Sequence, residues 1–174
     1  HGTKHSFPTR RSSDLEHALA GAALIVNPSA SNELVAKADY RRQLVSMNSA
    51  QRICAYLYAS SGPTESSKDI VFGGHLLAAE NGAMLAESER FALEGSSLLV
   101  DFDCQKLHHD RLQHATFAAS PRPAPYRSSR LSPGAALPDM AREYPRHPFV
   151  PDDLHEFDAR AQEILAIQAT GLAR

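Results

Sequence analysis

The residues whose types could do chemistry are two cysteines, a histidine group, several acidic pairs and one polar loop. Cys54 is the tempting nucleophile, but it closes an apolar helix face with no base signal beside it, so it reads as an ordinary buried thiol. Cys104 follows Asp101-Phe102-Asp103 and reads as a strand-end residue. His108, His109 and His114 resemble a metal cluster only by composition, because adjacent histidines point to different sides of a helix. Asp101 and Asp103 form a carboxylate pair of the kind that solvent or a cation usually satisfies. Glu65 and Asp69, beside Ser66, Ser67 and Lys68, either shape a pocket or sit on a solvent-facing loop with local side-chain bonds. Asn27 to Asn32 is a polar loop with strong turn character after an apolar run, a common place for a binding site.

The elements that must position these residues follow from the pattern. Glu16 to Ala20 is a short helix former, stopped by Gly21. Ala22 to Val26 is a continuous apolar run, predicted as a strand buried on both faces. Glu33 to Cys54 is predicted as a long helix, with Leu34, Ala38, Val45 and Ile53 on one face and Lys37, Arg41, Arg42 and Arg52 as polar surface. Ala55 to Ala59 is a strand with Tyr56 and Tyr58 on one face and Leu57 on the other. Ile70 to Phe72 and Leu98 to Phe102 are further short strands. His75 to Glu80 and Ala83 to Glu89 flank Asn81-Gly82, the turn signal of a hairpin. Gln105 to Gln113 is a short helix. The order predicts a layered α/β domain with α+β-like layers.

Composition changes after Ala118. Eight of the eleven prolines lie between Pro121 and Pro151, which is linker chemistry. From Asp152 an amphipathic pattern resumes through Leu154, Phe157, Ala161, Ile164, Leu165, Ile167 and Leu172, predicting a helix that opens a second domain. The domain reading is therefore 16–118, a proline-rich linker over 119–150, and a second domain starting at 151–174.

The chain has 174 residues, 43% of them hydrophobic and 22% charged, with a net charge of -2. Such a balance suits a globular domain and gives no sign of a nucleic-acid or anionic-membrane partner. No apolar run approaches the roughly 20 residues of a membrane span. The start lacks the apolar core of a secretory signal, and a cytoplasmic location is the simplest reading. His5 to Leu15 reads HSFPTRRSSDL, a string that one reading frame of a widely used sequencing-adapter oligonucleotide encodes. Residues 1–15 are therefore set aside from fold reasoning.

Three stretches carry a family resemblance: NPSASNELVAKADYRRQLV (Asn27 to Val45), AYLYASSGPTESSKDIVFGGHLLAAENGAMLAESERF (Ala55 to Phe91) and HPFVPDDLHEFDARAQEILAIQATGLAR (His147 to Arg174). They resemble the bacterial glutamine-dependent NAD synthetases, in which a nitrilase-superfamily (carbon-nitrogen hydrolase) amidase is fused to an ATP-dependent synthetase. The second stretch is the most specific, since TESSKDIVF followed by ENGAMLAESERF is not a general nitrilase pattern. The resemblance implies the second half of a nitrilase-type αββα sandwich, then a linker and the first helix of a Rossmann-like synthetase domain.

It also implies a site. The family's glutaminase uses a glutamate base, a lysine and a cysteine nucleophile, all expected upstream of the matching region, so no catalytic residue is assigned here. Carried over is glutamine binding: a serine in the loop after the post-nucleophile strand, Ser31, and a basic residue six positions later, Lys37. Some members have arginine where Lys37 stands, so a guanidinium fork would be replaced by a point charge. Without the resemblance Ser31 and Lys37 would read as a helix N-terminal region and a solvated cation. ATP and magnesium belong to the parent's synthetase domain, whose Ser-Gly-Gly-x-Asp-Ser pyrophosphate loop is expected beyond Arg174, and no cofactor is assigned to this chain. Glutamine and deamido-NAD are the implied small-molecule substrates, and the family forms homo-oligomers. The chain alone is expected to be inactive. Rival readings are a stand-alone nitrilase-type amidase and a non-catalytic glutamine-binding remnant.

Overall fold

A computed structural model describes residues 13–120, 126–127, 129–130, 132, 134, 142, 144, 146–147, 150–151 and 153–173. The chain divides into two compact units, His1–Pro138 and Asp139–Arg174. The first contains α1 (Ser13–Leu19), β1 (Leu24–Ser29), α2 (Lys37–Arg52), β2 (Ala55–Ser60), β3 (Leu76–Glu80), β4 (Ala83–Glu87), α3 (Cys104–Gln113) and α4 (Ala115–Ala118). The second contains α5 (Leu154–Leu172). Most of the residues set aside at the start, and most of the proline-rich stretch, lie outside the described residues.

One four-stranded mixed sheet, in the order β1-β2-β3-β4, organises the first unit. β1 runs parallel to β2, with Val26 opposite Leu57; β2–β3 and β3–β4 are antiparallel. The α/β class expected from the sequence is the observed one. The β3–β4 turn is the Asn-Gly pair, with φ of 45° at Asn81 and 91° at Gly82. Two positive φ values at the central residues are what a type I′ hairpin needs. Pro28 fits within β1 because β1 is an edge strand, where the missing N–H costs no ladder bond.

The core lies on one face of the sheet. Ile25, Tyr56, Tyr58, Leu77 and Ala79 pack there with Val45 of α2 and Ala18 of α1. Burying each large apolar side chain contributes on the order of 2 kcal/mol. Tyr56 keeps a polar handle, receiving a hydrogen bond from Asn27 Nδ2 (3.1 Å) and donating to Asp14 Oδ2 (3.2 Å). On the other face α3 covers only one end, where Leu107 packs on Ala55 and Ile53. Leu24 and Val26 remain 41% and 60% exposed on that open side. β1 is thus buried on one face, not two: a second layer over its other face is not among the described residues.

Three further differences have local causes. α2 starts at Lys37, not Glu33, because Glu33 spends its N–H on Val71 O (2.7 Å) and its carboxylate on distant arginines. The 70–72 segment joins no ladder: Ile70 O and Val71 O accept from Ser67 and Glu33, and Phe72 N–H donates to Ser66 Oγ. The 98–102 segment likewise forms no strand, and Leu99 is 81% exposed. α1 begins at Ser13, ahead of the expected Glu16, and carries Asp14 and Glu16 in its first turn, where carboxylates suit the helix dipole.

The end of α2 and the start of α3 are tied to the sheet by buried polar groups. Ile53 has φ 45°, its N–H bonds Ala50 O, and Cys54 N–H bonds Ser49 O, a Schellman closure without glycine. Arg111 caps this end: Nε donates to Ile53 O (2.8 Å), and Nη2 to Ala22 O (2.7 Å) and Arg52 O (3.3 Å). Glu80 Oε2 accepts from Asp103 N–H (2.7 Å), and Asp103 Oδ1 caps α3 by accepting from Lys106 N–H. In the second unit Asp153 Oδ1 accepts from the N–H groups of His155 and Glu156, so α5 starts at Leu154, two residues after Asp152, where the pattern was expected to resume.

Candidate functional site

The sequence singled out a polar loop over Asn27–Asn32; β1 runs on to Ser29, so Asn27, Pro28 and Ser29 lie in the strand and the β1–α2 loop is residues 30–36. It leaves the end of parallel β1 and leads into the first turn of α2, a place where backbone N–H groups and a helix dipole favour anionic groups. Ser31 and Lys37 lie at its two ends, both part-exposed. Ser31 is tied to β2, its carbonyl accepting from Ser60 Oγ at 3.4 Å. Lys37 folds back across the loop, and its Nζ donates to Asn32 O (2.6 Å) and Asn32 Oδ1 (3.0 Å). Lys37 is therefore drawn toward the residue that follows Ser31. Partial burial, then the nearby Arg41 charge, holds its pKa below the usual lysine value, while Glu33 works the other way.

Beneath the loop lies a charge cluster, and it corrects the sequence reading of α2: Arg41 and Arg52, expected on the polar surface, are buried. Arg41 is fully buried; Nη1 donates to Glu33 Oε1 (2.8 Å) and faces His75 Nδ1 (2.9 Å). Its guanidinium stands 5.6 Å from the centre of the Tyr58 ring. His75 Nε2 meets Glu87 Oε1 at 2.7 Å, and Arg42 grips the same carboxylate through Nε (2.7 Å) and Nη2 (2.8 Å). An arginine has no acceptor, so His75 Nδ1 must be the acceptor and Nε2–H the donor to Glu87. The ring is neutral, and burial pushes its pKa below 6.5 despite the opposing pull of Glu87. A signal for the cluster existed: Ala38, Arg41, Val45, Ser49 and Arg52 are the buried positions of α2. An arginine within a buried helical stripe requires a partner.

The remaining candidates separate cleanly. Cys54 is fully buried and its thiol is pushed up to about 11 by burial, as suits an inert thiol. Cys104 is exposed at the start of α3 rather than at a strand end. His108, His109 and His114 are exposed, and among the described residues no group of three potential ligands could hold a metal ion. Glu65 lies in the 3-10 turn Pro63–Glu65 and, like Asp69, is exposed. Asp103 is a helix cap. No helix among the described residues is long and apolar enough to cross a membrane.

Comparison with known proteins adds the chemistry. No family model matches the chain. Curated relatives do: the glutamine-dependent NAD(+) synthetase of Mycobacterium leprae is 36% identical over 164 residues, covering 90% of this chain and 24% of that protein. Those of Mycobacterium bovis and Mycobacterium tuberculosis are 37% identical over the same span. This chain is homologous to a stretch of the glutamine-dependent NAD(+) synthetases. It spans about a quarter of the length of these relatives. Among solved structures, a glutamine-dependent NAD(+) synthetase from Cytophaga hutchinsonii is 32% identical, with a TM-score of 0.40 over 42% of this chain and 13% of that one. A carbon-nitrogen hydrolase from Helicobacter pylori is 16% identical, with a TM-score of 0.47 over 59% and 39%.

Proposed function

We propose that this chain is the glutamine-contacting part of the glutaminase domain of an NAD synthetase, followed by the start of its synthetase domain. The carrying observation is the 36–37% identity to such enzymes across 90% of the chain. In the parent, cysteine attacks the glutamine side-chain amide while a lysine and backbone N–H groups stabilise the oxyanion. Water then hydrolyses the thioester, leaving glutamate and ammonia. The synthetase domain uses that ammonia, with ATP and magnesium, to amidate deamido-NAD.

This chain's share is to hold the substrate. The Ser31 hydroxyl bonds the α-amino or α-carboxylate group, and the Lys37 ammonium pairs with the carboxylate. Lys37 Nζ already spans the loop toward Asn32, so a carboxylate arriving beside Ser31 takes over one of those acceptor positions. The exposed Leu24 and Val26 support the αββα layering, since such a sandwich packs a second sheet on that side.

The test is to sequence the locus from primers outside it and assay the full reading frame. A Cys-Glu-Asp segment before Glu16 and a Ser-Gly-Gly-x-Asp-Ser loop after Arg174 are expected. In that enzyme Ser31→Ala and Lys37→Ala should raise the KM for glutamine and leave ammonia-driven NAD formation unchanged. A stop codon directly after Arg174 would instead leave an amidase or a binding remnant.

A further inference from the structure

The loop that carries Ser31 and leads into Lys37 is bridged within itself by Lys37, whose Nζ donates to Asn32 and whose N–H donates to Leu34 O. α2 has no side-chain N-cap bond, and Ala36 sits at φ 64°, a conformation that non-glycine residues adopt at a cost. Glu33, two residues from Ser31 and four from Lys37, anchors the middle of the loop to distant parts of the fold. Its N–H is fixed to Val71 O (2.7 Å), and its carboxylate is shared between Arg41 Nη1 (2.8 Å) and Arg90 Nη1 (3.3 Å). The Glu33 side chain is only 6% exposed. Gly73 makes room for it: a Cβ there would stand 2.6 Å from Glu33 Oε1.

The other end of the clamp is equally determined. Arg41 Nε and Nη2 have no hydrogen-bond partner among the described residues, so Glu33 supplies the carboxylate that neutralises a fully buried cation. His75 closes the line by offering Nδ1 to Arg41 and Nε2–H to Glu87. We infer that Glu33 is a positioning residue: clamped between Arg41 and Arg90, it sets the conformation of the Ser31–Lys37 loop and so the spacing of the two glutamine contacts. The role in glutamine binding rests on the proposed function; the role in fixing the loop does not.

The clamp is sensitive to protonation of His75. The charged groups around that ring are Arg41 and Arg42 from α2, Glu33 from the loop and Glu87 from β4. A proton on Nδ1 would place N–H against N–H at 2.9 Å and add a second cation beside Arg41. Acid should therefore loosen Arg41 and, through it, Glu33.

Amide exchange on the 174-residue chain, read by mass spectrometry at 31–37 and at 76–80, tests this. Glu33→Gln should speed exchange at 31–37 about tenfold and leave β3 unchanged, as expected for a local opening. Glu33→Asp, which keeps the charge, should recover part of the protection. Lowering the pH from 7.5 to 5.5 should loosen 31–37 in the parent sequence beyond the intrinsic pH effect on exchange, and should do nothing further in Glu33→Gln. The inference is overturned by unchanged exchange at 31–37, by equal loss across β3, or by a starting chain unprotected at 31–37. Glutamine titration is read separately. A chain with the clamp behaviour but no saturable glutamine binding overturns the proposed function alone, whereas unaltered glutamine affinity in Glu33→Gln overturns the positioning role.

Discussion

Arg41 Nη1 stands 2.9 Å from His75 Nδ1, and this contact makes the imidazole an acceptor and links α2 to the start of β3. The same Nη1 reaches Glu33, so one buried guanidinium joins a helix, a strand and a loop. Arg41→Met keeps most of the side-chain volume but strands Glu33 and His75. Removing one partner of a buried pair costs about 3–5 kcal/mol. The lower end is expected, because Arg90 still engages Glu33. Urea denaturation should show the midpoint fall at unchanged slope, and adding Glu33→Leu should recover part of the loss.

Acid should destabilise the fold in two steps. Burial keeps His75 below its ordinary value of 6.5, so the folded ring resists a proton that the unfolded chain accepts. Its contribution is fully present above about pH 6.5 and is lost as pH falls through the folded pKa. Glu87, held below 4.5 first by its bonds to Arg42, contributes above 4.5 and is lost below it. Thermal melts from pH 8 to 4 should be flat, then fall from about pH 6.5. In His75→Gln the first decline should be absent; if it persists, another group controls it.

The elements closest to local rules were the most legible in the sequence. Asn81-Gly82 dictates its turn because Asn and Gly tolerate the positive φ that a type I′ hairpin needs at both central residues, and Tyr56 and Tyr58 point to the core because a strand alternates. Glu33 was misplaced into a helix because its partners, Arg41, Arg90 and Val71, are 8, 57 and 38 residues away. Periodicity cannot express such pairings. The segments at 70–72 and 98–102 have strand-like composition but form no strand, since composition does not say whether a ladder partner is present. Ser31 on the loop after β1 and Lys37 on the helix that follows were legible; Arg41 was read as polar helix surface, because periodicity does not show the partners that bury it.

Arg111 is the test of how α2 ends. Ile53 at φ 45° costs roughly 1 kcal/mol relative to glycine, but its buried side chain contributes about 2–3 kcal/mol. Ile53→Gly should therefore destabilise the chain despite relieving the backbone. Arg111→Met leaves the carbonyls of Ile53, Ala22 and Arg52 without their shared donor. With hydrogen bonds from a charged group worth about 1.5–3 kcal/mol each before compensation by water, a loss of about 3 kcal/mol is expected. A change below about 0.5 kcal/mol, the range of ordinary surface substitutions, would mean that water replaces the guanidinium at no cost.

The two cysteines should report folding directly. Cys104 is exposed, whereas Cys54 is fully buried with its thiol pushed up to about 11, burial outweighing the favourable charges of Arg111 and Arg52. A thiolate is the reactive form, so at pH 8 Cys54 is protonated as well as shielded. Ellman's reagent should titrate one thiol rapidly in the native chain and the second only after denaturation. Cys104→Ser should abolish the rapid phase, and Cys54→Ser should leave it intact. Fast reaction of both thiols in native buffer would mean that the core between α1, α2 and β2 opens freely.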